Sequence, residues 1–407
     1  MTMRSLPTAA LVVVLASLSI PAEAQDASPP GRRAARREAE TKASEDAVQR
    51  NAALAKGVEL LLSMQEGDGA DGKAEWPYEG VYRVRGSIPV GYRVGGTSIC
   101  AMALLEAPGY DTDEPRREAV RRAAAFVCRA ADDPLMSATD YDGGYDVRCW
   151  GYCYALQFLL DLRTAKAVPE GMSEEVDRRV RQYIGALQQV EIPQVGGWNY
   201  ARPPGRESPA PASPFVTAPC LRALFEAKAQ GFDVDAAAVQ RGLDALERCR
   251  TASGAFAYAA RGNASRSTDG TPGAIGRMVA AEVTLALAGR SDIPRIRGAL
   301  DAFLAHWDQL EKRRQQPGTH VGPFAVAPYY FFYAHLYAAE AIEQLPAHER
   351  PYYRDRLAAL LFKVREANGS WNDRVFPRSA NFGTATALLA LSAPNRRPPA
   401  GWPHAQE

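Results

Sequence analysis

Residues 196–227 read GGWNYARPPGRESPAPASPFVTAPCLRALFEA: two glycines and a tryptophan, a proline-rich segment, and an apolar run with helical spacing. The segment before them, DRRVRQYIGALQQV (177–190), has helical spacing with charges on one face. A charged helix, a glycine turn with an aromatic residue and a more apolar helix together predict a helical hairpin, because glycine permits the tight turn.

This hairpin pattern occurs six times. The charged helices carry short apolar tetrads every 57–65 residues, which begin at Val58, Ala123, Ile184, Leu243, Leu300 and Leu357. Each tetrad is followed by a turn with an aromatic residue and by a less polar helix, and no alternating strand pattern competes. We therefore predict an all-α fold with a charged outer shell and an apolar inner shell. Six such hairpins can close into a ring.

The two ends of the chain differ from the repeats. Arg4, the apolar run 9–20 and Ala22-Glu23-Ala24 form a signal-peptide pattern with cleavage after Ala24, which predicts export to the periplasm or medium. Residues 25–45 are predicted to be a charged disordered linker, residues 46–393 the repeat domain, and residues 394–407 a Pro-rich, disordered tail.

Charge and hydropathy limit the partners. The formal net charge is +1, so nothing in the overall composition favours nucleic acid. No apolar run reaches the length of a membrane span, so no transmembrane segment is expected. We expect a small hydrophobic ligand or a glycan as the partner.

The six aromatic turns resemble those of the prenyltransferase and squalene-cyclase repeat family, across residues 52–393. The resemblance implies a terpenoid-cyclase-like α6/α6 toroid with a central cavity. Squalene-type cyclases use a D-x-D-D acid motif, whereas DYDG (140–143) lacks the final aspartate. Asp140 and Asp142 are thus catalytic candidates whose alternative role is to cap a turn. Whether the chain is an enzyme stays open.

The resemblance also raises the question of zinc. Prenyltransferase β subunits hold zinc with an Asp-x-Cys pair and a distant histidine. Here Asp146, Cys149 and Cys153 give a spacing one residue too long, with His320 and His335 as distant histidines. We therefore expect no metal or cofactor, with zinc at these residues as the alternative.

Aromatic and charged residues of the inner helices are candidates for ligand binding. Tyr329, Tyr333 and Tyr337 share a helix face, which would suit either a cavity wall or the core. Arg277 and Glu282 interrupt an apolar helix, where charges need partners or a polar cavity, and Glu282 is a third catalytic candidate. The proposed ligand-binding residues are Trp150, Tyr154, Arg277, Tyr329, Tyr330, His335 and Trp371. The sixth turn adds Asn372, Asp373, Arg374 and Arg378.

Three functions remain in competition. The first is binding or transformation of an isoprenoid-like ligand in the central cavity, favoured by the resemblance. The second is a glycosidase or polysaccharide lyase, which would need a carboxylate pair, or a Tyr or His base with an arginine. Its candidates are Arg277, Glu282, Tyr329 and His335. The third is a non-catalytic scaffold that binds a partner.

The six cysteines suggest disulfides in an exported protein. Cys100 and Cys220 lie in matching inner helices, and Cys128 and Cys249 follow them after 28 and 29 residues. We predict the pairs Cys100–Cys128 and Cys220–Cys249, which leaves Cys149 and Cys153 as a thiol pair or the alternative zinc ligands.

Overall fold

A computed structural model describes residues 30–67, 74–139, 147–199, 211–259 and 270–403. Within these ranges the fold is helical, and the only β-type pairings are four isolated bridges. No helix in the described part is both long and apolar enough to cross a membrane. The chain divides into two compact units, 1–49 and 50–407. The described residues of the first unit are helical, and the second unit contains the repeats.

In the described ranges, twelve α-helices alternate between the two shells. The outer helices are α1 (Pro30–Met64), α3 (Glu114–Ala130), α5 (Ser173–Gln189), α7 (Ala236–Arg248), α9 (Ile293–Glu311) and α11 (Arg350–Lys363). The inner helices are α2 (Val90–Glu106), α4 (Arg148–Thr164), α6 (Pro214–Ala229), α8 (Thr271–Leu287), α10 (Tyr330–Gln344) and α12 (Ala380–Ser392). The outer helices α3, α5, α7 and α9 bury one stripe, whereas the inner helices are buried along almost their whole length.

The inner helices form a closed ring. Each one contacts the next along the chain, and α12 contacts α2. Asn381 strengthens this closure, because its side-chain amide donates to the carbonyl of Pro77 at 3.0 Å. The all-α toroid of six hairpins is therefore confirmed.

The tryptophans of three turns explain why an aromatic residue occurs there. The indole N–H groups of Trp76, Trp198 and Trp371 each donate to a leucine carbonyl of the preceding outer helix, at 2.7–2.8 Å. The backbone N–H of each tryptophan donates to a threonine hydroxyl of the following inner helix, at 2.9–3.1 Å. Each tryptophan thus joins the two helices of its own hairpin. Gly197 precedes Trp198 with a φ of 72°, a conformation that favours glycine.

The segments that flank the repeats are more ordered than predicted. Helix α1 begins at Pro30, inside the predicted linker 25–45, because the Ala-, Arg- and Glu-rich composition there has high helix propensity. The tail was also predicted to be disordered, but residues 394–403 are described and pack on the ring. Trp402 lies against Phe225 and its backbone N–H donates to the carbonyl of Leu287 at 2.9 Å.

The predicted disulfides are wrong: all six cysteines are free and buried. Helix α2 begins at Val90, so Cys100 lies about 15 Å along its axis. Cys128 lies at the end of α3, next to the start of α2 in an antiparallel hairpin. A disulfide needs Cα atoms within about 7 Å, so this offset along the helices is too large.

The predicted disulfide between Cys220 and Cys249 is wrong for the same reason. Cys249 caps the end of α7, whereas Cys220 lies two turns into α6. The thiol of Cys220 instead contacts that of Cys153 on α4, with Cys149 nearby.

Candidate functional site

Aromatic and charged side chains meet at the end of the ring where the inner helices begin. We call Tyr258, His320, Tyr329, Arg277 and Arg374 the tyrosine–histidine cluster. Tyr329 caps the start of α10, Arg277 lies in the second turn of α8, and Arg374 precedes α12. Tyr258 and His320 come from the segments before α8 and α10. The cluster therefore draws on three hairpins.

Three of these side chains form a hydrogen-bonded relay. Nδ1 of His320 lies 3.2 Å from the carbonyl oxygen of Ala325, which can only accept, so Nδ1 carries the proton. Nε2 is then an acceptor, and the hydroxyl of Tyr329 donates to it at 3.2 Å. The hydroxyl of Tyr258 lies 3.4 Å from that of Tyr329 and donates to it. The arrangement can pass a proton from Tyr329 to a neutral imidazole.

The backbone of His320 is strained, and its surroundings keep its imidazole neutral. His320 has a φ of 53°, a left-handed conformation that is costly for a residue with a Cβ. Burial lowers the pKa of His320, and the positive charges of Arg277 and Arg374 lower it further. The imidazole is therefore neutral at pH 7 and can accept a proton.

Two arginines stand over the tyrosine rings. The guanidinium carbon of Arg374 lies 5.4 Å from the ring centre of Tyr329, and that of Arg277 lies 5.7 Å from that of Tyr258. Both arginines are buried. Their positive charge stabilises negative charge on the phenol oxygens or on a bound carboxylate.

A buried carboxyl group adjoins the cluster. Nε of Arg374 donates to the hydroxyl of Tyr78 at 3.2 Å, and that hydroxyl lies 3.5 Å from Oδ2 of Asp373. Oδ1 of Asp373 is buried and has no hydrogen-bond partner among the described residues. Burial raises the pKa of Asp373 to about 7, although Arg374 opposes this shift.

The structure brings together four of the predicted ligand-binding residues. Arg277 and Tyr329 are members of the cluster, and the ring of Tyr330 lies 5.9 Å from that of His320. Trp150 packs near the centre of the ring, 5.6 Å from the ring of Tyr78. Gly95 makes room for it, since a Cβ there would lie 2.4 Å from the indole.

Three other predicted residues lie elsewhere. Tyr154 lines a cavity at the opposite end of the ring. His335 points to the outer shell, where Trp307 donates to its Nε2 at 2.9 Å and its Nδ1 contacts the carbonyl of Phe331 at 2.7 Å. Trp371 is one of the three hairpin tryptophans. The contacts of His335 and Trp371 are therefore those of core residues.

Glu282 also points away from the cluster. Arg250 donates to both of its carboxylate oxygens, at 2.8 and 2.9 Å, and the hydroxyl of Ser291 donates to it as well. These contacts join α8 to the segments beside α7 and α9, so the carboxylate serves as a structural ion pair.

The remaining predictions concern aspartates and zinc. Asp140, Asp142 and Asp146 lie outside the described residues. Across the part of the chain that is described, no group of three potential ligands is placed to hold a metal ion. Cys149 and Cys153 are buried on α4.

Sequence analysis missed part of the cluster. It considered His320 only as a zinc ligand and did not single out Tyr258, although the fourth turn, SGAFAY, ends with this tyrosine. No local pattern marks His320, because its approach to Tyr329, nine residues later, depends on the conformation of the segment between α9 and α10. Arg374 was noted at the rim, but its contact with Tyr329 joins the fifth and sixth hairpins.

No protein-family model matches the chain, and no curated protein matches its sequence. Solved structures do match. The apo type II terpene cyclase MstE from Scytonema is 18% identical, with a TM-score of 0.52 over 85% of this chain and 98% of that chain. An MstE variant with its substrate geranylgeranyl dihydroxybenzoate is 16% identical, with a TM-score of 0.52 and coverages of 86% and 99%.

A third match is an inactive α-1,6-mannanase variant of Salegentibacter with α-1,6-mannotetrose. It is 10% identical, with a TM-score of 0.55 over 84% of this chain and 98% of that chain. These likenesses confirm the terpenoid-cyclase-like α/α toroid. At such low identities they show the fold alone.

Proposed function

We propose that the protein is a carbohydrate-active enzyme of the lyase type, which cleaves an acidic polysaccharide at the tyrosine–histidine cluster. The observation that carries this proposal is the hydrogen bond from Tyr329 to a neutral His320 between two buried arginines. It deepens the second function considered from the sequence, a Tyr or His base with an arginine. Here His320 takes the place that His335 was expected to fill.

The geometry suits a β-elimination. A uronate carboxylate placed against Arg374 or Arg277 loses much of its charge, which makes the neighbouring C–H group more acidic. The Tyr329 oxygen takes that proton while its own proton passes to Nε2 of His320, which becomes an imidazolium. The electron pair forms a C=C bond, the glycosidic C–O bond breaks, and the leaving oxygen takes a proton from Tyr258 or water.

The test is a screen for the unsaturated product. Purified protein is incubated with alginate, polygalacturonate, hyaluronan, chondroitin sulfate and heparan sulfate, and the ultraviolet absorbance of the new conjugated double bond is followed. Tyr329→Phe should lower the rate at least about 100-fold. Tyr353→Phe is the matched control, because that hydroxyl donates to Asp301 on the outer surface. If the ultraviolet absorbance does not rise with any of these substrates, the proposed lyase activity is contradicted.

The pH profile tests the role of His320. Its pKa lies below the ordinary value, so the neutral base persists to mildly acidic pH and is lost as the pH falls further. The rate should therefore fall on the acid side of the profile, and His320→Gln should lower it and remove that limb. An acid limb that survives in an active His320→Gln variant assigns the titration to another group.

The isoprenoid-like ligand is the second candidate function. Its support is the likeness of the fold to the type II terpene cyclase MstE, whereas aromatic side chains such as Trp150, 6.1 Å from the ring of Phe382, fill the centre of the ring. Its test is to incubate the protein with geranylgeranyl dihydroxybenzoate and to measure the loss of this compound by mass spectrometry. Release of reducing ends from α-1,6-mannan without ultraviolet absorbance would instead indicate a hydrolase.

Export is part of the proposal, since it would bring the protein to extracellular polysaccharides. The support is the leader pattern of residues 1–24. Mass spectrometry of the mature protein should find Gln25 as its first residue, and a chain that retains residues 1–24 would contradict it.

A further inference from the structure

A cavity lies at the end of the ring where the inner helices finish. Its volume is about 390 Å³, within the size range of small-molecule sites. Its inner wall is largely apolar and includes Met102, Tyr154, Leu336, Tyr337 and Leu389. About one helical turn further along, the lining becomes acidic with Glu106, Asp161, Glu226, Glu340 and Glu343. We call this space the carboxylate cavity.

The cavity favours positive charge. The inner helices end here, so their carbonyl groups and dipoles add negative potential to that of the five carboxylates. Four arginines also line the space, but Arg396 and Arg397 belong to the tail. Of the described lining residues, the ring contributes Arg222 and Arg350. Arg222 pairs with Glu340, Arg350 lies 3.9 Å from Glu343, and Arg354, outside the lining, donates to both carboxylate oxygens of Glu343.

One carboxyl oxygen in this cavity lacks a hydrogen-bond partner among the described residues. Asp161 is only 7% exposed, and its Oδ1 accepts a hydrogen bond from Gln157 at 2.8 Å. Its Oδ2 is buried and has no hydrogen-bond partner among the described residues. Burial raises the pKa of Asp161 to about 7, and the charges of Glu106 and Glu226 raise it too, against the effect of Arg396. Asp161 lines the cavity, and a buried acceptor without a partner indicates that a donor is missing.

The C-terminal tail, residues 394–403, shows which chemical groups bind at the acidic opening, or mouth, of the carboxylate cavity. The Arg397 guanidinium pairs with Glu226, and that of Arg396 lies 3.5 Å from Glu340 and 3.6 Å from Glu106. The Arg396 distances exceed the 2.7–2.9 Å that is usual for a charged hydrogen bond, and Nε of Arg396 has no hydrogen-bond partner in the described part. The tail thus presents guanidinium groups to the mouth without satisfying Asp161.

We propose that the carboxylate cavity is a binding site for a small organic cation, an alkyl amine or alkyl guanidine. Its charged head donates to Asp161 and Glu106, and its chain lies against Tyr154 and Tyr337. The arginines of the tail compete with it at the mouth. The site is at the opposite end of the ring from the tyrosine–histidine cluster and does not depend on the proposed lyase activity.

Calorimetric titration with agmatine, putrescine and spermidine tests the site on the full-length protein. At least one cation should bind, and neutral butanediol should not. Asp161→Asn should weaken binding about tenfold or more. Asp308→Asn is the matched control, because Asp308 is on the outer helix α9 and pairs with the exposed Lys312, and it should leave binding unchanged.

A second pair of variants keeps the test independent of folding. If Asp161→Asn is unfolded by circular dichroism, Glu106→Gln at the mouth replaces it, with an expected weakening of several-fold. Replacing both Arg396 and Arg397 by alanine should tighten binding roughly tenfold, because the competing guanidinium groups are gone. The proposal is overturned if no cation binds even this double variant, if butanediol binds equally well, or if folded Asp161→Asn or Glu106→Gln binds like wild type.

Discussion

The hydroxyl of Tyr154 lies 3.4 Å from that of Tyr337, although their helices, α4 and α10, stand on opposite sides of the ring. The two side chains therefore meet across the centre. Phe215 and Tyr333 add a stacked pair with ring centres 4.1 Å apart. Aromatic packing thus lies between the tyrosine–histidine cluster and the carboxylate cavity.

We expect this packing, more than the hydroxyl pair, to hold the ring together. A hydrogen bond of 3.4 Å is long, so Tyr154→Phe should lower the free energy of unfolding by less than about 1 kcal/mol. Tyr154→Ala leaves a cavity at the centre and should cost about 3–5 kcal/mol. Urea unfolding measures both. Equal losses in the two variants would show that the hydroxyl carries the effect.

The indole hydrogen bond of Trp198 should be a separate source of stability. Trp198→Phe keeps an aromatic ring but leaves the buried carbonyl of Leu187 without its donor, at a cost of roughly 1–3 kcal/mol. Trp402→Phe is the control, because the hydrogen bond of Trp402 to Leu287 uses its backbone N–H and survives the change. Thermal unfolding should show the larger loss for Trp198→Phe, and the reverse order would contradict this role.

The buried carboxyl of Asp373 should make stability depend on pH. Its pKa of about 7 in the folded protein exceeds the value near 4 of an exposed aspartate. Between these values the folded state holds a proton that the unfolded state has lost. The contribution is fully present below pH 4 and falls by about 1.4 kcal/mol per pH unit until about pH 7.

Asp373→Asn should remove this contribution to the slope. The variant should match wild type near pH 4 and be more stable than wild type at pH 8, as measured by urea unfolding at each pH. Asp308→Asn is the control, since the pKa of Asp308 is lowered by its hydrogen bond with Lys312. Parallel curves for wild type and Asp373→Asn would show that Asp373 ionises at the same low pH in the folded protein as in the unfolded chain, so that folding does not raise its pKa.

The six thiols should be present but unreactive in the native protein. Burial raises the pKa of Cys128 to about 12 and raises those of Cys100 and Cys220 well above the ordinary value, so little thiolate forms at pH 8. Ellman's reagent should react slowly with native protein and should titrate six thiols in denaturant without a reductant. A count of four or fewer would establish a disulfide.

The repeat was readable from the sequence because its determinants are local. Trp198, its glycines and the next helix lie within a few turns of one another, so the hairpin follows from short-range spacing. A correct prediction of the cysteine pairs would have required the residue at which each helix begins. Cys100 was placed early in its helix, whereas the buried glycines before it extend α2 back to Val90.

The candidate site was harder to predict because its contacts join three consecutive hairpins. Arg277 was identified as a charge that interrupts an apolar helix and Tyr329 as part of an aromatic helix face, and both belong to the cluster. His320 approaches Tyr329 through a left-handed turn that no sequence pattern marks. The position of Arg397 against Glu226 depends on a tail whose composition suggested disorder.

Closure of α12 onto α2 has a consequence for how the chain is made. The buried hydroxyl of Tyr78 contacts Arg374, nearly 300 residues later, and a Cβ at Gly57 would touch Leu388. An open array of repeats can fold progressively as it leaves the ribosome. This protein cannot close its ring until its last helix has been synthesised, so the apolar edge of α2 that packs on α12 stays uncovered by α12 throughout translation.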